Sequence, residues 1–127
     1  MNIRNTRQRQ SIKEAFEVAN RPLSADEVLA AAQSTVSGLG MATVYRAIKT
    51  GVEDGWLVAV ELPGAPPRYE IAGKEHHHHF HCNTCGKVFE LHGCVENLNK
   101  MLPKGFRVTG HEVLLYGSCS ECTPAQQ

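Results

Sequence analysis

Three segments of helical periodicity, a hairpin after them, and a change of character near residue 72 predict an α+β fold. The expected architecture is an N-terminal winged helix-turn-helix over residues 1–72 and a small C-terminal α/β domain over residues 73–127 with a four-cysteine zinc knuckle. The 127 residues suffice for two small domains, and 42% hydrophobic with 20% charged residues are globular values.

The first helix is expected over residues 6–19, where Ile12, Ala15, Phe16 and Ala19 recur at helical spacing. Arg21-Pro22 ends it, because the residue before a proline is pushed out of the helical region. Ser24-Ala-Asp-Glu27 is a capping box and opens a second helix over residues 25–33. After the break at residues 37–40 a third helix is expected over residues 42–54, stopped by Gly55. Strands over residues 56–62 and 68–71 flank Pro63-Gly-Ala-Pro-Pro67, which cannot continue a ladder. In this order the third helix reads and the hairpin is the wing. Beyond a linker at residues 72–75, strands over residues 77–82 and 87–90 surround a Cys-x-x-Cys-Gly turn. A short helix over residues 94–102 and a strand over residues 106–116 complete the expectation.

The formal net charge is zero, so charge alone announces no nucleic acid. Residues 1–13 nevertheless carry Arg4, Arg7, Arg9 and Lys13 without an acid. Such a run is either a solvated helix face or a phosphate-contacting patch. No apolar run is long enough to span a membrane, and the opening stretch lacks the apolar core of a secretory signal. A cytoplasmic location is expected.

Five cysteines without such a signal speak for metal rather than disulfides. Cys82, Cys85, Cys119 and Cys122 form two Cys-x-x-Cys pairs. Each offers two thiolates from one turn, the donor set of a closed, structural, tetrahedral Zn²⁺ site. Redox exchange would need a thioredoxin-like βαβ setting, which the sequence lacks. Just before the first pair stands Glu75-His-His-His-His-Phe-His81. On a strand, His77 and His79 share one face and His76 and His78 the other, so two histidines are available to each of two metal sites. Glu70, Glu90, Glu96 and His111 are candidates for the remaining ligands; His81, His92 and Cys94 are less clear. Cys94 reads first as a buried thiol at a helix start and otherwise, like His92, as a ligand that fills a vacancy in a metal site. Mixed nitrogen and oxygen donors suit Zn²⁺, Fe²⁺ or Mn²⁺ and bind exchangeably.

Ala42-Thr-Val-Tyr-Arg46, Tyr69-Glu70, the histidines at 76–79, Cys82-x-x-Cys-Gly86, Gly105-Phe-x-Val108, His111 and Gly117-x-Cys-x-x-Cys122 together resemble the ferric uptake regulator family. The resemblance spans residues 9–122. It implies a homodimeric, metal-dependent repressor with a C-terminal dimerisation domain, controlling metal-homeostasis genes. It places structural zinc on the four paired cysteines, a hinge-region regulatory metal on Glu70, His77, His79 and Glu90, and a further metal on His76, His78, Glu96 and His111. Iron- and peroxide-sensing members usually carry a histidine just before the second helix, where this chain has Pro22-Leu23. Four remaining ligands suffice for tetrahedral zinc. The expected regulatory ion is therefore Zn²⁺, with Fe²⁺, Mn²⁺ or peroxide sensing as the alternative. Gly51, inside the reading helix, costs roughly 1 kcal/mol relative to alanine, and the sequence offers no reason for it.

For DNA, Arg46 and Tyr45 are expected at base edges. Arg bonds guanine bidentately and a tyrosine ring meets a thymine methyl, although Tyr45 also reads as a core residue. Thr43, Lys49, Arg7 and Arg9 are expected at phosphates. A two-fold dimer addresses a pseudo-palindromic double-stranded operator. A zinc hydrolase is the reading from another class, but no His-Glu-x-x-His helix or other catalytic zinc signature is present. Neither catalysis nor a small organic substrate is expected. A DNA-binding protein with structural zinc alone is the third reading.

Overall fold

The computed structural model describes residues 3–124, with side chains from Thr6 onward. Arg4 of the basic run and residues 125–127 of the polar tail lie outside the described side chains. The chain divides into two compact units, Met1–Lys74 and Glu75–Gln127. No helix among the described residues is long and apolar enough to cross a membrane.

The first unit holds α1 (Ile3–Ala19), α2 (Ala25–Gln33), α3 (Met41–Asp54), β1 (Leu57–Val60) and β2 (Arg68–Ile71). Its core is the apolar face that the periodicity marks: Ile12 and Phe16 from α1, Val28 and Ala32 from α2, Val44 and Ile48 from α3, with Leu23, Leu39 and Leu57. The capping box forms as expected. Glu27 N–H donates to Ser24 Oγ and Ser24 N–H donates to Glu27 Oε1, each at 3.1 Å. Arg21 Nη2 then holds Glu27 Oε2 at 2.6 Å. Gly55 ends α3 at φ 86°, a left-handed conformation that glycine adopts without strain.

β1 and β2 pair antiparallel from Leu57↔Ile71 to Val60↔Arg68, as a wing requires. Leu23 and Tyr69 exchange two backbone hydrogen bonds of 2.8 Å, tying the α1–α2 connection to that hairpin. The structure also supplies the reason for Gly51. A Cβ there would stand 2.8 Å from Leu57 Cδ1 and 2.9 Å from Trp56 Cε2. Any side chain at this place would force the Leu57 or Trp56 side chain to shift.

The second unit is a three-stranded sheet, ordered β4 (Val88–Leu91), β3 (His78–Cys82), β5 (Leu114–Gly117). β3 pairs antiparallel with β4 and parallel with β5. Two expectations need correction. Residues 94–102 do not form an α-helix; a 3-10 turn over Leu98–Met101 (η1) is all that appears. Asn97 before it sits at φ 63° and no residue of the turn is buried, so the segment has neither helical continuity nor an apolar face to hold it. The last strand is Leu114–Gly117 rather than residues 106–116. Residues 106–110 are exposed and have no ladder partner among the described residues.

Candidate metal centres and nucleic-acid interface

The parallel pairing of β5 with β3 decides where the ligands go. Cys82 lies opposite Gly117, so both strands run out at the same end of the sheet. Their Cys-x-x-Cys turns meet there. The sulfurs of Cys82, Cys85, Cys119 and Cys122 all lie within 4.8 Å of one another. Cys85 Sγ and Cys119 Sγ are 3.9 Å apart. Thiolates at about 2.3 Å from a tetrahedral Zn²⁺ stand about 3.8 Å apart, so the set fits zinc. Gly86 at φ 79° allows the turn, and its N–H donates to Cys82 C=O at 2.9 Å.

The knuckle also prepares the charge. The N–H groups of Cys85 and Cys119 each donate to Cys82 Sγ at 3.4 Å. These bonds lower the Cys82 thiol to about 5 against the opposing effect of burial. Cys122 is pushed up to about 12, through its hydrogen bond with Cys119, through burial, and through the other two thiols. A cation held by these four thiolates would take the place of the protons the thiols carry.

The other end of β3 gathers a second cluster. Its antiparallel partner β4 ends opposite His78, and β5 begins opposite His79. Cys94, three residues past β4, and His111, three residues before β5, therefore arrive beside His76 and His78. Four steps along β3 separate His78 from Cys82, roughly 13 Å. His76 Nε2 lies 3.1 Å from His78 Nε2 and 3.3 Å from His111 Nε2. Cys94 Sγ lies 2.9 Å from His111 Nε2, 3.5 Å from His78 Nε2 and 3.7 Å from His76 Nε2. Three of the four residues named for a further metal thus come together. Glu96 does not join them; it is exposed, and Cys94 stands in the cluster instead. Without the expected helix, nothing in the segment turns Glu96 back toward the imidazoles. Burial first, and then the charges of His76 and His111, hold His78 below the usual histidine range, favouring the neutral ring that metals take. Val113 N–H donates to His78 Nδ1 at 3.1 Å, which leaves the proton of the neutral ring on Nε2.

His77 and His79 stack edge to face with centroids 4.8 Å apart, and His79 lies opposite Glu90 in the ladder. His77 Nδ1–H donates to Glu75 C=O at 2.8 Å. Glu70 is on β2, in the first unit, opposite Val58. His81 lies against Tyr116 with centroids 6.0 Å apart, and His92 is largely exposed, its Nε2 3.9 Å from Glu90 Oε2.

On the first unit, burial of Val44, Ile48 and Gly51 leaves the opposite face of α3 to solvent. Tyr45 is 57% exposed, so it is not a core residue. Arg46 and Lys49 are exposed beside it, and Arg46 Nη2 donates to Thr43 Oγ1 at 3.2 Å. Arg7 and Arg9 are exposed on α1. A cleft of about 560 Å³ between α1 and α3 is lined by Arg9, Lys13, Thr43 and Arg46. Lys13 of the basic run stands four residues after Arg9, so both lie on one face of α1.

A family model described as the ferric uptake regulator family matches residues 1–116. The ferric uptake regulation protein of Campylobacter jejuni is 37% identical over 87 residues, which are 66% of this chain and 55% of that protein. The match therefore spans little more than half of that relative's length. The solved Helicobacter pylori ferric uptake regulator, described as having three functional metal binding sites, superposes with a TM-score of 0.71 at 25% identity, over 94% of this chain and 82% of that one. A zinc-bound manganese uptake regulator superposes with a TM-score of 0.79 at 26% identity, over 88% of this chain and 87% of that one.

Proposed function

The chain belongs to the ferric uptake regulator family, and from that premise we propose that it is a metal-dependent transcriptional repressor of metal-homeostasis genes, with Zn²⁺ as the sensed ion. Members of the family are DNA-binding regulators rather than enzymes. The observation that carries the proposal is the pairing of an exposed basic recognition face on α3 with metal-ligand sets on the strand that follows the wing.

Residues 1–72 are the DNA-reading half with its hinge, and residues 73–127 the metal-binding and dimer-forming half. Tyr45 and Arg46 read base edges, while Thr43, Lys49, Arg7 and Arg9 hold phosphates. Val95, Met101, Phe106, Leu115 and Tyr116 are exposed apolar residues of the second unit in the single chain, and a second copy covers them. The resulting two-fold dimer places two α3 helices on a pseudo-palindromic operator.

Structural Zn²⁺ belongs to the four paired cysteines. The regulatory ion belongs to Glu70, His77, His79 and Glu90, one ligand on the wing and three on the second unit. An ion bonded to both halves fixes the hinge and with it the spacing of the reading helices. It acts only through its preference for that form. Four nitrogen and oxygen ligands suit tetrahedral Zn²⁺; Fe²⁺ and Mn²⁺ are the competing ions, and a peroxide-responsive iron site is a variant of that reading.

The test is a titration of chelator-stripped protein with Zn²⁺, Fe²⁺ and Mn²⁺ in turn, oxygen excluded for Fe²⁺. The readout is fluorescence anisotropy of a duplex selected from a random pool. Zn²⁺ is expected to switch binding at the lowest free concentration. A switch by Fe²⁺ or Mn²⁺ alone refutes zinc sensing and leaves the family reading intact.

A further inference from the structure

The geometry points to His76, His78, His111 and the Cys94 thiolate as a closed tetrahedral site for a Zn²⁺-class cation, with sulfur in the place where a carboxylate was expected. Nitrogen ligands at about 2.0–2.1 Å and sulfur at about 2.3 Å around such an ion stand about 3.3 Å apart N to N and about 3.6 Å apart N to S. The two N to N distances from His76 are 3.1 and 3.3 Å. The three sulfur to nitrogen distances are 2.9, 3.5 and 3.7 Å. Four edges of the tetrahedron are thus within about 0.2 Å of these bonded lengths, and the fifth, from Cys94 to His111, is shorter.

A hydrogen-bonded imidazole cluster does not explain the arrangement. His76 Nε2 has three close neighbours, yet one imidazole nitrogen carries either one proton or one lone pair. It satisfies one neighbour, and the other two remain unexplained unless the four atoms share a common centre.

The thiolate decides what that centre accepts. It brings one negative charge and a soft donor to three neutral imidazoles, which favours Zn²⁺ over Mn²⁺ and Mg²⁺. Four protein ligands leave no open position, so the site holds an ion rather than activating water. Loading also has a structural consequence. With the ion on Nε2, the His78 proton moves to Nδ1 and faces the Val113 N–H. Two donors repel, so the bond to Val113 opens next to the start of β5.

Cobalt tests the site independently of the hinge. Protein retaining one Zn²⁺ per chain at the four paired cysteines is titrated with Co²⁺. A sulfur-to-cobalt charge-transfer band is expected in the wild type, because the hinge ligands contain no sulfur. Cys94→Ser should lose the band and bind the ion at least about tenfold more weakly, the lower end of what losing even an outer-shell partner costs. Glu96→Gln should change neither.

A second readout needs no variant. Zn²⁺ should protect the exposed Cys94 from iodoacetamide, followed by peptide mass spectrometry, while the Val113 amide resonance moves. A band that survives Cys94→Ser, its loss in Glu96→Gln, or alkylation of Cys94 at the wild-type rate in the loaded protein overturns the assignment. A Val113 amide that stays in place as Cys94 becomes protected removes His78 from the set and overturns it too. Metal-switched DNA binding is scored separately. Its loss with the cobalt band intact counts against the hinge and not against this site.

Discussion

Removing the proposed structural zinc from Cys82, Cys85, Cys119 and Cys122 should unfold the second unit and leave the first folded. Of the buried apolar residues described, only Cys82 and Val88 belong to the second unit; the rest of the core lies in the first. Fully burying a valine contributes about 1.5–3 kcal/mol. A structural zinc contributes about 10–16 kcal/mol at neutral pH, comparable with the whole stability of a small domain, about 5–15 kcal/mol. Within one protomer the proposed zinc would therefore be the larger part of what holds β3, β4 and β5 together. The assay is amide hydrogen exchange on reduced, verified metal-free protein at several concentrations. The Cys82 N–H, bonded to Lys87 C=O at 3.0 Å, should lose its protection. The Tyr69 N–H, bonded to Leu23 C=O at 2.8 Å, should keep it. Protected β3 amides in the zinc-free protein would refute the reasoning.

Gly51→Ala should lower the first unit's stability by about 1 kcal/mol: the helix gains about 1 kcal/mol in propensity, but overpacking against Trp56 and Leu57 costs about 1–3 kcal/mol. A Tm that falls by about 4–8 °C agrees, and one that rises contradicts the packing reason for the glycine. Acid should weaken the same unit through Glu27. Burial alone would raise its carboxyl, but the Arg21 hydrogen bond, the Ser24 N–H and the charges of Arg21 and Arg68 outweigh it and hold it below its ordinary 4.5. A lowered folded value stabilises above the ordinary value and is lost as pH falls through the folded one, so Glu27→Gln should flatten the acid limb below 4.5 in denaturant titrations; an unchanged limb contradicts this. On DNA, Arg46→Ala should cost about 1–3 kcal/mol per protomer and relax sequence preference, whereas Lys49→Ala should reduce the salt slope by about 1 per protomer without changing preference. Equal effects from both variants would mean that Arg46 touches only phosphate.

The features readable in advance are those that local chemistry decides. Ser24 and Glu27 form their reciprocal cap because both partners lie within one turn. Gly55 stops α3 because of its left-handed φ. The wing follows from two short strands around a proline-rich turn, and the four paired cysteines announce themselves by spacing. The features missed depend on distant pairing. Cys94 reaches His76 and His78 because β4 ends opposite His78, and it meets His111 because β5 returns parallel to β3, neither of which any periodicity between residues 92 and 113 encodes. The helix expected at residues 94–102 reduces to a 3-10 turn because none of its residues is buried against the rest of the described chain. Gly51 looked like a plain cost until the positions of Trp56 and Leu57 were known.

The central claim is that an ion at the hinge controls DNA binding. Its most direct test is the affinity for the pool-selected duplex at buffered free Zn²⁺, for the wild type and Glu70→Ala, each with one zinc retained at the four paired cysteines. The account predicts that Zn²⁺ tightens binding by the wild type and leaves Glu70→Ala at its metal-free affinity. Equal affinity of the wild type with and without Zn²⁺, Fe²⁺ or Mn²⁺ would contradict it.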